Sequence, residues 1–419
     1  VSESLMRPGR GGARLTALLA VTSAVTAANV YLSQPLLAEA AASLRVPVGT
    51  LGALPTATQV GFAAGVALLV PAGDAVDRRR LITVLTAASA VALAACALAP
   101  TAFWLLVAGL LLGVVSPVPQ LVAPLAVALA GGERIGRTVG TVQAGLLVGV
   151  LASRTYAGAL ASVAGWRAVF WCSCAATVLL ASALRRHLPA APPAAPLRYR
   201  TALASVPKIF AADPRVRRIV VAGALVGVSF GAFWTPLTFL LVQHYRFGSA
   251  TVGLFGLVAA AGAVVSPLAG RLTDRLGGRA GQTVMIGAVA AGWAVLLPGG
   301  TGLGWLIAGT VLLDVGTWSN QVGCQQALFA LRPAMRSRLN ACYFTLRFLG
   351  IAAGSFAGTL AWQAAGWFGV AGTGAAACGA ALLVTHLPDR DPAAGRSRTG
   401  GIRAARRVAG PVAGGGVPR

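Results

Sequence analysis

Three ionisable residues stand inside long apolar stretches of this chain. Arg154 lies in "GLLVGVLASRTYAG" (Gly145–Gly158), Asp314 in "GTVLLDVGTW" (Gly309–Trp318) and Arg347 in "YFTLRFLGIAAG" (Tyr343–Gly354). A charge placed in such surroundings is costly and marks a functional site by default. Asp314 is the sole acid deep in any of these stretches. Removal from water favours the neutral form of a carboxyl group, the property a proton-exchanging site needs. Gln321 and Gln325 follow seven and eleven residues later, so helical geometry puts all three on one face. Arg154 and Arg347 are the cations that can fork onto a carboxylate or phosphate. They can equally pair with Asp314 as structural partners. Snorkelling to the interface is a further option for Arg154.

Weaker polar and aromatic candidates accompany them: Asn29, Gln34, Gln59, Gln120, Gln143, Phe233, Trp234 and Thr238. Each is as readily an interhelical hydrogen bond or a packing ring as a ligand contact. Glu39 is expected at an outer helix end, in water. The six cysteines all fall in apolar segments, and none makes a metal spacing with histidine. No metal site and no organic cofactor are expected.

The elements that must hold these residues are membrane helices. The composition is 57% hydrophobic and 11% charged, against roughly 25% charged in a soluble domain. Apolar blocks of bilayer-crossing length recur twelve times, near 15–37, 51–72, 81–99, 103–130, 138–161, 167–184, 219–243, 250–270, 281–298, 303–329, 339–362 and 366–386. Small-residue spacings such as Gly145/Gly149, Gly223/Gly227/Gly231 and Gly354/Gly358 predict close helix packing.

The net charge of +24 would suit nucleic acid, but its distribution does not. Alternate loops hold 29 of the 34 Lys and Arg residues, the opposite loops hold Arg45, Arg167 and Arg246, and Arg154 and Arg347 lie within spans. This positive-inside pattern predicts both termini in the cytoplasm. The string "AEA" (Ala38–Ala40), after arginines and an apolar run, has the parts of a signal peptide. Cleavage there would remove the first span, so the segment is read as retained.

The division expected is a cytoplasmic N-terminus (1–14), a six-helix bundle (15–184), a linker (185–218), a second bundle (219–387) and a basic disordered tail (388–419). The halves echo each other. "GDAVDRRRLI" (Gly73–Ile82) and "GRLTDRLGGR" (Gly270–Arg279) each follow the second span of a half. "YAGALASVAGW" (Tyr156–Trp166) and "FAGTLAWQAAGW" (Phe356–Trp367) each follow the fifth. This is a parallel six-helix repeat.

The second charged string, with Gly270, Leu272, Asp274, Arg275, Gly277 and Arg279, resembles the loop motif of the major facilitator superfamily. The first keeps Gly73, Asp77 and Arg78 in a loop two residues shorter. Asp77 stands where a carboxylate suits the N-terminus of the next helix. The resemblance further implies that this aspartate bridges to a neighbouring helix and steadies an outward-open state. Both loops are therefore candidate conformational latches.

The strings "YLSQPLL" (Tyr31–Leu37), "VPQLVAP" (Val118–Pro124), "FWTPLTFLL" (Phe233–Leu241) and "ALRPAMRSRLN" (Ala330–Asn340) narrow the likeness to arabinose-efflux-permease-like and drug:proton antiporters. Two features depart from that group. The fourth span has no buried arginine, and the fifth lacks a Gly-Pro pair.

The sequence thus predicts an all-α integral membrane protein of the cell membrane, with twelve helices in two bundles. The resemblance implies proton-coupled efflux of a small molecule, driven by the proton gradient, with a monomer in membrane lipid as the working unit. Import of a small metabolite, anionic or neutral, and a transport-inactive sensor are the alternatives. No clustered acid–base or metal residues support an intramembrane enzyme.

Overall fold

The computed structural model describes residues 10–129, 135–192, 198–258, 276, 278–331 and 335–388. The first half contains α1 (Arg10–Tyr31), α2 (Leu37–Leu44), α3 (Val48–Leu51), α4 (Ala53–Leu69), α5 (Arg78–Ala97), α6 (Ala102–Val115), α7 (Val118–Leu129), α8 (Ile135–Ala164) and α9 (Trp166–His187). After α10 (Tyr199–Ala212), the second half runs through α11 (Pro214–Phe239), α12 (Ser249–Val258), α13 (Gly278–Leu296), α14 (Leu303–Leu331) and α15 (Arg336–His386).

Nine spans among the described residues are long and apolar enough to cross a membrane. The twelve expected crossings map onto them with three additions. The α15 span contains two crossings, joined where Ala365 and Gly366 leave helical geometry. α14, with 29 residues, is also long enough to cross but is not among those nine spans; Asp314, Asn320, Gln321 and Gln325 lie along it. α12 is the start of the eighth crossing; the rest of that crossing lies outside the described residues. So do the tail from Asp389 and the latch residues Gly270, Asp274, Arg275 and Gly277. Of the expected linker, residues 199–212 form α10.

Proline sets the internal breaks, because it lacks the N–H a helix needs. A 3-10 turn at Gln34–Leu36, containing Pro35, separates α1 from α2. α6 and α7 divide at Ser116 and Pro117. α11 contains Pro236 and passes into a π-helical turn at Leu240–His244.

The repeat is visible in the packing. α1 lies on α8 as α11 lies on the first arm of α15. A methyl group at Gly149 would run into the Ala24 carbonyl, and one at Gly354 into that of Val228. Glycine lets the backbones meet there, as the small-residue spacing predicted. The outward faces are apolar: Phe103, Val163, Leu179, Phe368 and Leu383 are 71% to 84% exposed. A surface of that kind suits lipid rather than water.

Candidate functional site: a cavity and a sealed polar cluster between the bundles

A cavity of about 680 Å³ lies between the two halves. It opens toward the end of the bundle that bears Arg78–Arg80 and the exposed Arg336. α1, α4, α7 and α8 line it from one side, and α11, α14 and α15 from the other. Its walls are largely aromatic and aliphatic. Its polar residues include Gln120, Gln143, Gln321, Gln325, Asn340 and, toward the closed end, Arg347.

Beyond the closed end the halves are zipped together. Thr56 donates to the Ser355 hydroxyl at 3.1 Å, Thr155 to the Gly253 carbonyl at 3.0 Å and Thr238 to the Gln34 carbonyl at 3.3 Å. A side chain on Gly158 would collide with the Ser249 carbonyl, so α8 and α12 touch backbone to backbone.

Inside that seam is a buried polar cluster. Arg154 Nε donates to Gln34 Oε1 at 2.7 Å. The Arg154 guanidinium lies 3.8 Å from the ring centre of Trp234, across the bundle interface, and 5.2 Å from that of Tyr31. Flat guanidinium on aromatic faces is a favourable arrangement for a cation out of water. Asp314 is 1% exposed, and neither of its oxygens has a hydrogen-bond partner. The indole of Trp234 faces it without completing a bond, and Arg154 is the cation acting on it through space. Asp314 forms no close salt bridge with either arginine.

Arg347 sits elsewhere and has no acidic partner among the described residues. Nη1 donates to the Gly223 carbonyl at 3.2 Å and the Tyr343 hydroxyl at 3.3 Å, and Nη2 donates to the Thr317 carbonyl at 3.4 Å.

The expected face of α14 is thus divided by depth. Gln321 and Gln325 reach the cavity, while Asp314, about 10 Å further along the helix, lies beyond it in the cluster. Gln120 and Gln143 are in the cavity wall; Gln34, Trp234 and Thr238 are in the seam. Three candidates join neither. Asn29 donates to Thr177 at 3.1 Å, Gln59 is buried beside Tyr31, and Phe233 packs among Trp234, Trp293 and Trp367.

Asn340 is a polar cavity residue not singled out beforehand. It accepts from Gln325 at 2.9 Å and donates to Gln120 at 3.2 Å, bridging the halves across the cavity. Its place at the end of an arginine-rich string was its only sequence signal.

At the charged loop, Asp77 caps α5 through Arg80 N–H at 3.1 Å and accepts the Ala191 N–H at 3.1 Å. Arg78 holds the Gly73 carbonyl and Asp74, both at 3.1 Å. Arg279 is exposed at the start of α13. Glu39, expected in water, instead accepts the Trp166 N–H at 2.9 Å and so caps α9. The α9 terminus lies close enough to compete with solvent for the carboxylate.

Two pseudo-repeated bundles around one central cavity, with a charged loop after the second crossing, match a known family. Residues 19–355 match the model of the Major Facilitator Superfamily. The chain belongs to that superfamily. It is 35% identical over 373 residues to the uncharacterized transporter YgaY of Escherichia coli O157:H7, covering 88% of this chain and 94% of that one. It is 28% identical over 293 residues to a chloramphenicol resistance protein of Streptomyces lividans, covering 67% and 71%. In fold it resembles a bacterial homologue of the human lysosomal transporter Spinster, solved inward-facing and unoccupied, with TM-score 0.71, 14% identity and coverage of 90% and 96%. Membership makes the chain a multi-pass membrane transporter.

Proposed function

We propose that this protein exports small molecules across the cell membrane in exchange for protons, by alternating access, with both termini in the cytoplasm. On that reading the arginine-rich end is cytoplasmic and the structure is inward-open. The observation that supports coupling most directly is the placement of Asp314. It is a buried carboxylate without hydrogen bonds, acted on by an arginine from the opposite bundle. Parting the outer seam would draw Arg154 away from Asp314 and open a path for a proton from outside; with the cation gone, a carboxyl group still packed among apolar side chains holds that proton. Closing the seam brings Arg154 back, and the returning cation displaces the proton toward the cavity. Substrate and proton would then use the two bundle arrangements in opposite order. Efflux is supported further by the name of the Streptomyces lividans relative.

The test is transport in vesicles of the purified chain under an imposed pH gradient, with chloramphenicol and a panel of neutral, anionic and cationic aromatics. Substrate movement opposite to proton flow is expected. Movement indifferent to the gradient would overturn coupling, and movement alongside protons would reverse the direction.

A further inference from the structure

We infer that the cavity selects small amphiphilic organic anions, with the carboxylate or equivalent group held by Arg347 and the apolar body between the aromatic walls. The inference rests on the transport reading and adds a substrate class to it.

Charge balance carries the argument. Arg347 is 2% exposed and lines the cavity. The three groups that accept from it are all neutral. No Asp or Glu lines the cavity among the described residues. Arg154 and Asp314 act on each other through space in the sealed cluster, so among the described residues Arg347 is the buried cation whose charge is left uncompensated. Leaving such a charge without a counter-ion is costly, and an anion from solution relieves the cost.

The donor count agrees. A guanidinium has five N–H groups. The observed bonds use both on Nη1 and one on Nη2, leaving the Nε–H and one Nη2–H, the number a carboxylate engages in a forked contact.

The entrance has the same polarity. Arg336 lies at the open end, eleven residues earlier on α15, a helix distance of about 16 Å. A cation at the mouth and another at the closed end draw anions inward and repel cations. Between them Tyr31, Phe62, Phe230, Trp318, Phe344 and Phe348 supply walls suited to an aromatic or aliphatic body. Gln120, Gln143 and Gln321 offer neutral hydrogen bonds without demanding a particular charge. The volume fits one small organic molecule.

The experiment measures equilibrium binding to the purified full chain in neutral detergent with three probes of one shape: 2-naphthoate, 2-naphthamide and 2-naphthylmethylammonium. Naphthoate is expected to bind about tenfold or more tighter than the amide, the effect of one charge-assisted contact, and the ammonium weakest. Arg347→Gln should bring naphthoate and naphthamide to equal affinity. Equal affinities in the unmutated protein, a preference for the ammonium, or no binding of naphthoate would overturn the inference. So would a carboxylate preference that survives Arg347→Gln. If that variant does not fold, Arg347→Lys, which keeps the charge and loses the fork, should retain part of the preference, and the ranking in the unmutated protein decides by itself. Naphthoate bound but never moved in vesicles would instead count against transport. Neutral or cationic compounds moved while naphthoate is ignored would count against the anion site alone.

Discussion

At the scale of single residues, the two buried arginines have different surroundings and different expected roles. Arg154 has the Gln34 amide oxygen, two aromatic faces and, through space, Asp314. Breaking a buried ion pair from one side costs about 3–5 kcal/mol when nothing else compensates the remaining charge. Here the rings and the amide do part of that work. Asp314→Asn should therefore fold with only a modest fall in melting temperature, and it mimics the protonated acid. Proton-driven flux should be lost while substrate binding remains. Full flux in a well-folded Asp314→Asn protein would rule out the coupling role. A collapse in stability that Arg154→Gln repairs would mark the pair as structural.

Among the elements, the charged loop after α4 binds the segment beyond α9. Asp77 uses one carboxylate oxygen on Arg80 N–H and the other on Ala191 N–H. Asparagine keeps a good helix cap but has one acceptor oxygen rather than two. Asp77→Asn should leave α5 intact and loosen the hold on residues 188–192. Trypsin cleavage at Arg198 or Arg200 should then quicken severalfold in the folded protein. Unchanged cleavage would reduce the contact to a minor one.

Much at this scale was legible in the sequence. The blocks of bilayer length indicated the crossings, the echoed strings the repeat, and the glycine spacings close helix packing; that α1 meets α8 and α11 meets α15 came from the structure. Those signals are local, or repeat at a fixed interval. The depth of Asp314 relative to the cavity was not legible, nor was the Gln120–Asn340–Gln325 bridge. Both depend on how two bundles distant in sequence meet. The same holds for Glu39, whose partner Trp166 is 127 residues away.

For the whole molecule, the consequence is a single arrangement in which one end is zipped and the other open. The zipped end is held by hydroxyl bonds, the backbone approach at Gly158, the Arg154 cluster and the apolar packing of α4 against α15 and of Phe239 against the first half. Thr56 and Ser355 face each other across the seam with hydroxyl oxygens 3.1 Å apart, close enough for cysteines there to form a disulfide with small adjustment. In a background with the native cysteines replaced, Thr56→Cys with Ser355→Cys should lock that end shut on oxidation. Substrate flux should stop and return on reduction, while each single substitution continues to transport. Under the lock, a cysteine placed at Gln143 should still react with a thiol reagent applied from the arginine-rich side and not from the other. The same labelling at Arg198 fixes which side is cytoplasmic. Transport that continues through an oxidised pair would mean that the seam does not open during the cycle, and alternating access between these two bundles would have to be abandoned.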